Sequence, residues 1–177
     1  MMINIKLKDD QYTYTYIDHA RHIARAILIN ENNEVCLLKL LGDDDFGHRD
    51  YVETPGGGIN ANETPSQAVI REVKEETGCE SEIIDAIGVV EDYYNLIHRH
   101  NINNYFLLKT TSYDKTDLLE YEKTIIKEVK WFSLEEAILK YENMNKEKLE
   151  ILVRNRELQV LLEVYELIRG EKYERIK

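Results

Sequence analysis

At 177 residues, 43% hydrophobic and 32% charged, with only two prolines, the chain has the makeup of a folded globular protein able to bury a real core, which excludes long proline-rich linkers. A formal net charge of -11 excludes bulk attachment to a nucleic-acid backbone, so any phosphate ligand has to be met locally. No stretch approaches membrane-spanning length, and the start MMINIKLKDDQYTYTY lacks an apolar core followed by a small-residue cleavage site, so the expectation is a cytoplasmic protein with no membrane partner.

In chain order, Tyr12-Thr13-Tyr14-Thr15-Tyr16 alternates as a strand does, which predicts a strand within an N-terminal extension of about residues 1–20. His22 to Ile29 and Val35 to Leu41 read as a hairpin around Asn30-Glu31-Asn32-Asn33. Gly42 to Asp50 reads as a polar, acidic loop, followed by a short strand at Tyr51 and Val52 that ends at Pro55 and three glycines. Thr64 to Thr77 is the best-marked helix: Thr64 is an N-cap, Pro65 suits the first turn, Gln67 completes a capping box and Gly78 stops it. Ile83 to Val90, Tyr105 to Lys109 and Val129 to Phe132 read as strands, and Ser133 with Glu136 opens a helix to about Lys140.

From about 146 to 168, Leu149, Leu152, Val153, Val160, Val164, Leu167 and Ile168 recur near helical spacing. Core packing accounts for that stripe, and a homodimer contact is the alternative. On the second reading, removal of residues after about Glu142 harms solubility or assembly before it harms chemistry. Cys36 and Cys79 stand singly in apolar surroundings and read as small core residues, not as a disulfide or zinc pair.

Two features carry chemistry. At about 100° per residue, the carboxylates of Glu72 and Glu76 stand one turn apart with Glu75 bordering the same face, a like-charge arrangement that destabilises a bare helix and that a bound cation would relieve. All-oxygen ligands point to a hard ion, with Mg2+ the default choice and Mn2+ a substitute. Upstream, Gly56-Gly57-Gly58 lets backbone approach a ligand without a side chain in the way, although such loops are often mere turns.

Together, Gly57, Glu63, Arg71, Glu72, Val73, Glu75, Glu76 and Gly78 stand at the spacing of the Nudix box, with only the final aliphatic place loosened to Cys79. The segment resembles that box closely, and with Pro55 and Trp131-Phe132-Ser133-Leu134-Glu135-Glu136 the likeness extends from about Arg21 to Leu139. The resemblance implies a mixed α/β fold, the Nudix fold, with a mixed β-sheet sandwiched between helices in one domain over 1–177. It implies divalent metal held by Glu72, Glu75, Glu76 and the carbonyl of Gly56. Many relatives have Glu in place of Asn60 and Gly in place of Asn62, and Asn tolerates the left-handed conformation such a turn needs. Some relatives place a catalytic base six residues before the Trp. That place is Ile125 here, so Glu122 or Glu120 is the nearby substitute.

The mechanism the resemblance implies is metal-assisted cleavage of a diphosphate linkage, in a nucleoside triphosphate or a nucleoside diphosphate joined to another group. Glu75, Glu76, Arg71 and Glu122 are the catalytic candidates, Arg71 as the residue that orients the glutamates and Glu63 as the anchor of the loop. Two groups are candidates for substrate contact, His48, Arg49 and Tyr51 before the glycines and His98, Arg99 and His100 before the later strand, with Arg49, Tyr51, His98 and His100 the first choices. Tyr93 and Tyr94 are candidates for stacking on a base. A non-catalytic nucleotide sensor on the same fold is the alternative, and intact Glu72, Glu75 and Glu76 favour the enzyme.

Overall fold

The computed structural model of the chain describes residues 2–44, 47–145 and 147–170. Its strands and helices run β1 (Ile3–Leu7), β2 (His19–Ile29), β3 (Val35–Asp44), β4 (Gly47–Glu53), β5 (Gly56–Gly58), α1 (Pro65–Thr77), β6 (Cys79–Tyr94), β7 (Arg99–Tyr113), α2 (Glu120–Ile125), β8 (Ile126–Phe132), α3 (Leu134–Glu142) and α4 (Lys148–Arg169). The strands form a mixed sheet in the order β1-β6-β7-β2-β3-β4, with β5 on β2 and β8 on β3. The pairs β1 with β6 and β2 with β7 are parallel, and the others are antiparallel.

Period-two alternation along β2 explains both halves of the core. Ala24, Ala26 and Leu28 point to one face, where they pack with Ala68, Val69 and Val73 of α1 and with Cys36 and Cys79, both free thiols. Ile27 and Ile29 point to the other face and join Tyr105 and Leu107 of β7, Ala137, Ile138 and Tyr141 of α3, and Val160, Leu161 and Val164 of α4. A strand buried on both faces needs apolar residues at nearly every position, and Ala26-Ile27-Leu28-Ile29 supplies them.

Several expectations change. The residues read as a hairpin form β2 and β3, but these pair only at Ile29 and Val35. Beyond that point β2 turns to β5 and β7 while β3 turns to β4 and β8, so the two halves of the sheet splay apart. Tyr12 to Tyr16 is not a strand; the N-terminal strand is β1, and the following segment is tied down by side chains. Asp9 accepts from the amides of Gln11 and Tyr12 and, 86 residues away, from Asn95, so local carboxylate bonds replace a strand ladder there. The acidic stretch 42–50 is mostly strand: Gly42 pairs with Arg49, Asp43 with His48 and Asp44 with Gly47. Positions 45 and 46, read as part of that loop, and 146, read as the start of the last helix, lie outside the described residues.

Helix α4 is core. Leu152, Val153, Val160 and Val164 are buried and Leu149 and Ile168 partly so, while Leu167 alone of the predicted stripe is exposed. Two charged residues of α4, Arg156 and Glu157, are buried as well. Arg156 pairs with Glu53, Asp92 and Glu157, and Glu157 accepts from Thr54 at 2.7 Å and from Tyr105 at 2.9 Å. The last helix therefore anchors strands β4, β6 and β7, which the dimer-contact reading of the stripe did not foresee.

Candidate functional site

Where β2 and β3 diverge, a cleft of about 740 Å3 opens, walled by β2, β3, β4, the glycine strand β5, α1, the ends of β6 and β7, α2 and the first turns of α4. Helix α1 projects the box residues into it. Its start is fixed by Thr64, whose hydroxyl accepts from the Gln67 amide while the Gln67 side chain accepts from the Thr64 amide, and its end by Gly78 at φ 72°. Asn62 takes φ 65°, the left-handed conformation expected of it.

Glu72 and Glu76 are buried on the cleft side of α1, and α2 brings the buried Glu122 to them: one carboxylate oxygen from each lies within 4.8 Å of the other two. The glycines are required for this approach. A Cβ on Gly57 would sit 2.5 Å from Oε1 of Glu72, and one on Gly56, at φ 149°, would sit 2.3 Å from the Ala24 carbonyl. The Gly56 amide donates to Oε2 of Glu76 at 2.8 Å. Both oxygens of Glu122 accept a bond, one from the Tyr121 hydroxyl at 3.1 Å and one from the Leu119 amide at 2.8 Å.

Arg71 organises the rest. Its guanidinium donates to both oxygens of Glu63, to Glu72 at 2.7 Å, to Glu75 at 3.1 Å and to the Gly58 carbonyl at 3.0 Å. Glu63 in turn accepts from the Asn60 amide, so the loop is latched to the helix, and these bonds hold its carboxyl down at about 2. Glu75 stays with Arg71 at the cleft wall and is not a member of the three-carboxylate cluster.

Burial pushes the Glu76 carboxyl well above the usual carboxylate range, and the charge of Glu72 adds to the effect. Glu72 is also raised by burial, against the opposing pull of Arg71. Three carboxylates held together away from water form a donor set that fits a hard divalent cation, because such an ion would relieve both desolvation and mutual repulsion.

The substrate-contact candidates divide. Arg49 and Tyr51 line the cleft; Arg49 pairs with Asp44 at 2.8 Å and donates to the buried Tyr51 hydroxyl at 3.1 Å. His98 and His100 are not brought to it. His98 closes a tight turn at φ 56° and stacks on Tyr16, while His100 bonds Glu91 at 3.0 Å and stacks on Tyr93. On β7 the alternation sends Arg99 and Asn101, not His100, to the cleft side, and Tyr94, not Tyr93, lines it. Glu120 projects outward to Lys123, and Ile125 is a buried apolar part of the wall. Sequence reading missed Arg21, Arg25 and Asn101 for want of strand register and Arg156 for want of the packing of α4, and all four line the cleft.

The chain is similar to several known proteins. Over 56 residues the chain is 45% identical to the 8-oxo-dGTP diphosphatase of Escherichia coli (strain K12), covering 32% of this chain and 42% of that one. Over 80 residues it is 39% identical to the RNA pyrophosphohydrolase of Hydrogenovibrio crunogenus, covering 45% of each. The matched segments thus span less than half the length of these relatives. Among solved structures, a NUDIX hydrolase from Nitrosomonas europaea superposes with a TM-score of 0.63 at 20% identity over 88% of this chain and 93% of that one. A MutT protein from Methanosarcina mazei Go1 gives 0.61 at 24% identity, over 90% of this chain and all of that one. Residues 20–154 match the NUDIX domain, and the chain belongs to that family.

Proposed function

We propose that the chain is a metal-dependent pyrophosphohydrolase that cleaves the diphosphate linkage of a nucleotide-type substrate, either a nucleoside triphosphate or a nucleoside diphosphate joined to another group. The observation that carries this reading is the buried cluster of Glu72, Glu76 and Glu122 beside the glycine strand in a cleft large enough for a nucleotide. The curated relatives named above point to phosphate-chain substrates as well.

A divalent cation, Mg2+ or Mn2+, bound at these carboxylates would neutralise diphosphate oxygens and acidify a coordinated water. Glu72 and Glu76 would hold it, with the Gly56 carbonyl alongside. Glu122, whose oxygens are both fixed by hydrogen bonds, completes the anionic set. Glu75, with Oε2 on Arg71, offers Oε1 to accept a proton from the attacking water, and it can approach the ion as a further ligand. Arg71 keeps Glu63, Glu72 and Glu75 in register and stays charged throughout. Arg49 and Tyr51 form the wall against which the rest of the substrate lies. A sensor would gain nothing from carboxylates held in mutual repulsion.

The test is release of phosphate or pyrophosphate from nucleoside triphosphates, nucleotide sugars, ADP-ribose and dinucleoside polyphosphates, with Mg2+ and with excess chelator. Turnover of at least one class with the metal and none without it is expected. Binding without turnover across the panel would leave the sensor reading.

A further inference from the structure

On the sheet face that floors the cleft, β2 and β7 run parallel in a register that sets Arg21 beside Asn101, with Arg99 two residues earlier on the same face of β7. All three residues line the cleft. Four other arginines of the cavity are committed to carboxylates, Arg25 to Glu53 at 2.7 Å, Arg49 to Asp44 at 2.8 Å, Arg71 to Glu63 at 2.8 Å, and Arg156 to Glu53 and Asp92, and Arg99 feels the charge of Asp92. No carboxylate pairs with Arg21 among the described residues. In a chain with 34 acidic residues against 23 lysines and arginines, a half-buried guanidinium left without one is notable.

Two further observations mark the place. Asn101 is 4% exposed, and its Oδ1 has no hydrogen-bond partner among the described residues. A buried amide facing a cavity in that condition calls for a ligand group, and rotation by half a turn presents either Oδ1 or Nδ2 to it. Arg21 also repels Arg99, whose guanidinium burial and that neighbouring charge pull down to about 10. Two like charges crowded against an unsatisfied amide have a natural partner in an anion.

Position fixes which anion. The Arg21 guanidinium abuts Gly58, since a Cβ there would lie 3.2 Å from Nη2, while the neighbouring Gly57 abuts the carboxylate of Glu72. The cation thus follows directly after the carboxylate cluster along the glycine strand, and Arg99 extends the positive surface away from it.

We propose that Arg21, Arg99 and Asn101 form a phosphoryl subsite beyond the linkage engaged at the glutamates, which makes substrates with three or more consecutive phosphates the preferred class over two phosphates ending in a neutral sugar. This rests on the reading of the cleft as a diphosphate-cleaving site. The planar fork of arginine suits bidentate contact with phosphate, and Asn101 donates through Nδ2 to the same group.

The experiment measures binding of inorganic tripolyphosphate and of pyrophosphate by titration calorimetry with Mg2+, with phosphate release followed in the same samples, for the wild type, Arg21→Gln, Arg99→Gln and Arg99→Lys. The wild type should bind tripolyphosphate at least about tenfold more tightly than pyrophosphate, as expected for an added charge-assisted phosphate contact. Each Gln variant should remove most of that preference and leave pyrophosphate binding within about twofold, and Arg99→Lys should retain part of it. Equal wild-type affinity for the two anions overturns the subsite, as does equal weakening of both in the variants. Arg21 is only half-buried, so Arg21→Gln decides the matter even where an Arg99 variant fails to fold. The nucleotide panel separates the two readings: a tripolyphosphate preference without turnover of any nucleotide sinks the proposed reaction and leaves the subsite, and turnover without the preference does the reverse.

Discussion

Arg156 of the last helix donates to Oε1 of Glu53 at 2.5 Å across 103 residues of chain, joining α4 to the strand that leads into the glycine segment. The same oxygen accepts Arg25 at 2.7 Å, and Arg156 also reaches Asp92 and Glu157. Removing the arginine leaves three acidic groups buried with too little positive charge. Arg156→Met should therefore destabilise the fold by about 3–5 kcal/mol, the usual result of breaking a buried ion pair from one side. Truncation after Glu142 should prevent folding, since it removes Arg156, Glu157 and the apolar residues of α4 at once. Urea unfolding checks the first and expression with circular dichroism the second; a folded truncation with intact turnover would show that α4 is only an accessory.

Gly57→Ala should act on the site and not on the fold. The backbone there needs no left-handed conformation, but the added methyl would stand 2.5 Å from the Glu72 carboxylate, the far end of a flexible side chain. Glu72 can swing away at little cost in stability, and displaced ligands in a preorganised site lower turnover by on the order of a hundredfold. Melting temperature near wild type with a weakened Mg2+ response is the expected pair of results. An unchanged response would mean that Glu72 can hold the ion from another rotamer.

How much of this was legible in the sequence follows from how local each signal is. The caps of α1 are contacts within four residues, so Thr64, Gln67 and Gly78 announced the helix, while the left-handed Asn62 followed from the glycine that relatives carry there together with the tolerance of Asn for that conformation. Glu122 was reachable only through the family resemblance, because α2 is six residues long and has no periodicity to read. Acidic and polar side chains made 42–50 look like a loop, yet strand pairing is set by backbone partners that composition does not reveal. His98, Arg99 and His100 were grouped by residue type; without the register of β7 nothing told which of them faces the cleft, or that Asn101 does. Arg156 and Glu157 fall between the apolar positions of α4, so the helical stripe did not single them out, and their partners stand on β4, β6 and β7, far away in sequence.

Protons and metal should compete at Glu76. Its carboxyl is raised by burial from 4.5, and Glu72 is raised as well, so these groups favour the metal-free fold fully below the unfolded value and lose that contribution as pH rises through their folded values. Glu63 has the opposite sign: lowered to about 2, its contribution is present above 4.5 and is lost as pH falls toward the lower value. A cation binds the deprotonated carboxylates, so the melting shift produced by Mg2+ should grow as pH rises from the ordinary carboxylate value of 4.5 through the raised folded values of Glu72 and Glu76. Thermal melts with Mg2+ and with chelator across that range measure it. A shift that is flat or shrinks with pH would place the ion away from Glu72 and Glu76.

Glu76→Gln sets stability against activity. In the metal-free protein Glu76 is buried, one helical turn from Glu72 and grouped with Glu122, so removing its charge relieves repulsion. The amide oxygen of Gln can still accept the Gly56 amide that Glu76 accepts at 2.8 Å, so the contact between helix and glycine strand survives. The gain should be roughly a few tenths of a kcal/mol, the scale of a like-charge pair on a helix, and should be largest where pH is high enough to ionise the wild-type carboxyl. With Mg2+ present the same substitution removes an anionic ligand, and turnover should fall by on the order of a hundredfold or more. Melting temperature should thus rise slightly in chelator while the Mg2+-dependent increment collapses. Melts in both conditions, run beside turnover on whichever nucleotide the panel identifies, give all three numbers from one preparation. A folded Glu76→Gln protein with near-normal turnover and an intact Mg2+ increment would remove Glu76 from the metal site and leave its burial beside two other glutamates without a functional reason.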